Sequence, residues 1–123
     1  MRIRRRGGDD DAVRIVLVAT DLSETASRAV RFAAEMASRY EAELVVLRVL
    51  VGSEVSRTAA VAELEAYVQG LDGERKRAAV ISGEDPADAI VDAARRENAD
   101  ALVVEFEQLA ATRNRRSREV WHR

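Results

Sequence analysis

The sequence has 123 residues, 47% of them hydrophobic but only 4% aromatic, with 20 basic and 22 acidic side chains and a net charge of -2. That length supplies one hydrophobic core and not two, and the near-balanced charge excludes the overall field that favours nucleic acid or a membrane surface. With no cysteine there are no disulfides, thiolate nucleophiles or zinc–thiolate sites, and no apolar run nears the roughly 20 residues of a membrane span, so a cytoplasmic, soluble protein is expected.

Residues 1–12 carry a cationic block, then Gly7 and Gly8, then Asp9 to Asp11, with almost nothing apolar to bury, and read as a disordered lead-in. Val13 to Ala19 is a short aliphatic run without strict alternation, the pattern of a strand covered on both faces. Asp21 and Glu24 stand three apart ahead of a helical stripe of Ala26, Ala29, Val30, Ala33, Ala37 and Tyr40, which predicts a helix capped by Asp21. Leu44 to Val51, interrupted by Arg48, predicts a second buried strand, and a connection of this length favours a right-handed parallel crossover.

Ser56 to Gln69 repeats apolar residues at helical intervals and stops at Gly70. Lys76 to Ser82, closed by Gly83, is a third strand. Asp85 before Pro86 is a helix start, because proline at the first helical position gives up only an amide that lacks a partner anyway; Ala87, Ile90, Val91 and Ala94 supply its inward stripe. Ala101 to Val104 is a fourth strand. After it the texture changes: Thr112 to Glu119 is polar and contains Arg113, Arg115, Arg116 and Arg118. The expected organisation is therefore an α/β domain over 13–105, flanked by the lead-in and by an atypical arginine-rich segment over 106–123.

The residues give little chemistry. His122 is the only histidine, one position from the end, so neither a catalytic triad nor a metal site is expected, and the chain is not expected to be an enzyme. Lys76 is the only lysine, so an abundance of arginine reflects general usage, and the cationic tail reads as a solvated segment before a phosphate-binding patch. Nucleic acid is not an expected partner.

Thr20-Asp21-Leu22-Ser23-Glu24-Thr25-Ala26 after the first strand, the second strand ending Leu47-Arg48-Val49, and the stretch from Gly83 through Asp85-Pro86 to Ala99-Asp100-Ala101-Leu102-Val103-Val104 together resemble the universal stress protein family. The resemblance implies a flavodoxin-like, doubly wound parallel sheet in the order 3-2-1-4, with ligands sitting beyond the strand ends where the chain reverses. In nucleotide-binding members the residues after the first strand contact the nucleoside and backbone at the end of the second reads adenine. By position, the resemblance assigns those places to Ala19, Asp21 and Val49. Such members also carry Gly-x2-Gly-x9-Gly-Ser/Thr directly after the fourth strand, to embrace the phosphates.

Here Glu105-Phe106-Glu107-Gln108 stands at that place, and no glycine follows Gly83. Phosphates need close approach of bare backbone, often at positive φ, which other residues resist. The family's fifth strand, which implies a dimer edge, is not visible either. The expected function is a non-catalytic stress-response or interaction module with weak or no ATP binding and no other cofactor, associating with itself or with another protein. Two alternatives stay open: an adenine-nucleotide switch using Asp21 and Val49 with other phosphate contacts, and a truncated or frame-shifted remnant.

Overall fold

Aliphatic runs separated by amphipathic stretches fold as a twisted sheet with helices on both faces. The computed structural model describes residues 2–5, 13–52 and 56–105. In chain order the elements are β1 (Arg2–Arg5), β2 (Ile15–Ala19), α1 (Glu24–Tyr40), β3 (Glu43–Leu50), α2 (Arg57–Gln69), β4 (Lys76–Ser82), α3 (Pro86–Arg96) and β5 (Ala101–Val104). The sheet runs β1-β5-β2-β3-β4. Its four central and outer strands β5, β2, β3 and β4 are mutually parallel, which is the expected 3-2-1-4 order of a doubly wound fold.

The lead-in differs from expectation. Arg2–Arg5 pairs antiparallel with β5, Arg2 opposite Val104 through Arg5 opposite Ala101. Strand addition at an edge uses backbone groups, which every residue carries, so a sequence with no apolar pattern can supply it. The arginine-rich segment 106–123, His122 and the Gly7–Gly8 pair lie outside the described residues.

Two apolar layers sandwich the sheet. Val16, Val18, Val46 and Ala101 face Ala29, Val30 and Ala33 of α1 and Leu64 of α2. Leu17, Val45, Leu47 and Leu102 face Ala87, Ile90 and Ala94 of α3. The alternation of neighbouring residues between the two layers is the period of a strand buried on both faces, and it explains why these runs are continuously hydrophobic. Small alanines on the inward stripes of α1 and α3 let helix backbones approach the sheet.

Local signals set the element ends. Asp85 caps α3 through a hydrogen bond from the Ala87 amide, with Pro86 in the first turn. Gly83 allows the turn from β4 into α3 to close, since a Cβ there would stand 2.9 Å from the Ala89 Cβ. At the opposite end of the sheet, Arg77 on β4 bonds to Glu43 of β3 at 2.9 Å and to Glu97 at the end of α3. Those carboxylates, Glu97 foremost, hold the Arg77 guanidinium more firmly protonated than usual. Among the described residues no helix is long and apolar enough to cross a membrane.

Candidate functional site

The chain leaves β2 through α1 toward β3 on one side, and returns from β4 through α3 to β5 on the other. The C-terminal ends of β2 and β5 therefore part company, and a crevice at such a reversal is where open α/β sheets bind ligands. Ala19, Asp21, Val49 and Glu105 all belong to this end of the sheet.

The loop leaving β2 is shaped by its own side chains. Thr20, only 2% exposed, accepts a hydrogen bond from the Leu22 amide at 2.9 Å through its hydroxyl. Asp21 Oδ1 accepts from the Ser23 amide at 2.9 Å, and Ser23 Oγ from the Ala26 amide at 3.1 Å. Leu22 sits at φ 67°, a left-handed conformation uncommon for a leucine. The expected helix cap thus moves two residues: Ser23, and not Asp21, caps α1, and Glu24 is its first residue. Asp21 instead closes the turn in front, because the kink at Leu22 turns the chain before the helix begins.

Asp21 is exposed and half-committed, with one carboxylate oxygen on the Ser23 amide. Ala19 is 1% exposed and offers no side chain to a ligand. Val49 is half-buried, and its position follows from strand alternation. The Thr20 amide donates to the Leu47 carbonyl at 2.8 Å, so odd-numbered residues of β3 turn their backbone groups toward β2. Leu47 stands opposite Ala19, the last residue of β2. The N–H and C=O of Val49, two residues further on, therefore face the crevice beyond the end of β2. Asp21 and Val49 thus stand at the same end of the sheet, beyond buried Ala19.

On the β5 side, Val18 pairs with Val103, and the strand passes through buried Val104 into half-buried Glu105. The turn amides of Leu22, Ser23 and Ala26 are already occupied by Thr20, Asp21 and Ser23. Among the described residues, Asp21, Glu105 and the backbone of Val49 stand at this end of the sheet. The sequence pattern missed Thr20, whose role shows only in its burial, and the left-handed Leu22, which no residue type announces. Among the described residues no group of three or more His, Asp or Glu side chains is placed to hold a metal ion. Open cavities among the described residues lie away from these positions. One of about 350 Å³ is bounded by Ala37, Leu44, Asp72 and Arg75, and one of about 370 Å³ by Gly83, Glu84, Asp88 and Arg96.

Comparison with known proteins agrees with this architecture. The model of the universal stress protein family matches residues 12–117. Among solved structures, a universal stress protein from Archaeoglobus fulgidus is 27% identical with a TM-score of 0.62, the match covering 74% of each chain. A protein from Mycobacterium tuberculosis is 28% identical with a TM-score of 0.59, over 76% of this chain and 71% of that one. A universal stress protein solved in complex with cAMP is 25% identical with a TM-score of 0.58, over 71% of this chain and 67% of its own. No curated protein matches the chain at a significant level.

Proposed function

The chain belongs to the universal stress protein family, and we propose that within it the chain acts as a non-catalytic interaction module with weak or no binding of ATP. One observation carries this reading. β5 leads from Val104 straight into Glu105, and no glycine follows Gly83 in the sequence. A triphosphate entering at the end of β5 meets a carboxylate where close approach to bare backbone is needed, with Asp21 at the same end of the sheet. Like charges repel it, more strongly at half-buried Glu105 than at exposed Asp21. Among the described residues no histidine or cysteine stands beside Ser23 to activate it, and the Ser23 hydroxyl oxygen accepts from the Ala26 amide, which supports a non-catalytic role.

A second reading is favoured by the direction of Val49. Its backbone donor and acceptor face the crevice, which suits the edge of a purine, and Asp21 keeps one oxygen for a ribose hydroxyl. A ligand with a single phosphodiester charge asks less of the missing glycine motif than ATP does, and one structural relative was solved with cAMP. On this reading the module is a switch for a mononucleotide.

Calorimetric titration of the full chain with ATP, with and without magnesium, and with cAMP, separates the two. The first reading predicts no saturable heat from any of them. Saturable cAMP binding that Asp21→Ala weakens, with none from ATP, establishes the switch. Micromolar ATP binding overturns the inference from Glu105.

A further inference from the structure

The Asp100 amide donates to the Ile15 carbonyl at 2.8 Å, so even-numbered residues of β5 turn their backbone groups toward β2. By alternation the N–H and C=O groups of Ala101 and Val103 point the other way. All four residues of β5 are at most 2% exposed. Without β1, this strand would offer a dry, aliphatic edge with its hydrogen-bonding groups unpaired, the kind of edge that templates pairing with another chain. β1 covers its whole length, with Arg5 opposite Ala101 and Ile3 opposite Val103. Those are the two pairs whose backbone groups face each other.

The opposite edge is managed differently. The Leu44 amide donates to the Arg75 carbonyl, and the Gly83 amide to the Leu50 carbonyl, so odd-numbered residues of β4 face β3 and even-numbered ones face outward. Arg57, at the start of α2, donates from Nη2 to the outward Val80 carbonyl at 2.6 Å. On that edge a side chain engages one outward carbonyl, whereas a whole strand covers the other edge.

We propose that β1 is a guard strand, holding in cis the place of the fifth strand and keeping the edge of β5 from a second copy of this chain. The link is long enough: two strand spacings separate β1 from β2, about 10 Å, and residues 6–12 can reach about 23 Å. The guard's own outer edge does not pass the problem on. Its sequence is Arg-Ile-Arg-Arg, and a second β1 laid against it sets cations beside cations, which disfavours edge-to-edge growth. A β5 edge stripped of β1 has no such charge. It fits the same edge of another copy across a two-fold axis, an isologous pairing. This inference does not depend on whether a nucleotide binds.

The test compares the full chain with a variant lacking residues 2–6 and with Ile3→Pro, which removes the N–H opposite Val103. Sedimentation equilibrium reads the mass, and hydrogen exchange reads the Ala101 and Val103 amides. The intact chain is expected to be a monomer with both amides protected. Both variants are expected to double in mass as concentration rises, and to lose that protection when dilute. Variants that stay monomeric with Ala101 and Val103 still protected overturn the proposal. So does rapid exchange of those amides in the intact chain, a result that stands even if a variant does not fold.

Discussion

Two aspartates stand at opposite ends of the central pair of strands and do opposite things. Asp100, at the entry to β5, is 6% exposed, and its Oδ2 accepts from the Arg14 amide at 2.8 Å and the Ile15 amide at 3.1 Å. It ties the start of β2 to the start of β5. Asp21, beyond the far end of β2, is exposed and holds one amide of its own loop. Burial together with the number of amides served separates a carboxylate the fold needs from one it can lend to a ligand. Neither feature is visible in the residue type.

That contrast can be broken by substitution. Asp100→Ala leaves two amides at a partly buried strand junction without their acceptor and is expected to cost about 2 to 3 kcal/mol, read as a lower urea midpoint with an unchanged slope. A cost as small as that of Asp21→Ala ends the distinction. Gly83→Val tests whether the C-terminal end of the sheet tolerates change everywhere. The added Cβ would stand 2.9 Å from the Ala89 Cβ, and overpacking there is expected to cost about 2 kcal/mol. Ser23→Ala removes the cap of α1 and is expected to cost about 1 kcal/mol. If Asp21→Ala proves the more damaging of the two, Asp21 is the cap after all. Asp21→Ala itself is expected within about 0.5 kcal/mol of the parent, with its effect, if any, on ligand binding.

Much of the fold was legible because burial on both faces forces continuous aliphatic runs. Leu17, Val45 and Leu102 mark their strands unaided, and Asp85-Pro86 and Gly83 bracket the turn into α3 because those residue types have local conformational reasons to be there. β1 was not legible. It pairs through backbone, and Arg2–Arg5 has no hydrophobic period to betray it. The cap of α1 was misplaced by two residues because Asp21 and Ser23 are both capable caps, and the left-handed turn at Leu22 decides between them. Asp100 did leave a signal that sequence reasoning passed over, since an acid beside an aliphatic strand is either exposed or fully engaged. Asp21 and Val49 reached the candidate site through family resemblance. The structure adds the direction of the Val49 backbone, which follows from one hydrogen bond and the alternation of a strand.

We propose that the crevice beyond β2 and β5 holds at most one phosphate. The direct measurement is the affinity of the full chain for adenosine, AMP, ADP and ATP in the presence of magnesium, taken as a series. No gain from AMP to ATP is expected, whether adenosine itself binds weakly or not at all. A tenfold or greater gain with added phosphates would show that groups other than glycine backbone cradle them, and would overturn the proposed limit of one phosphate.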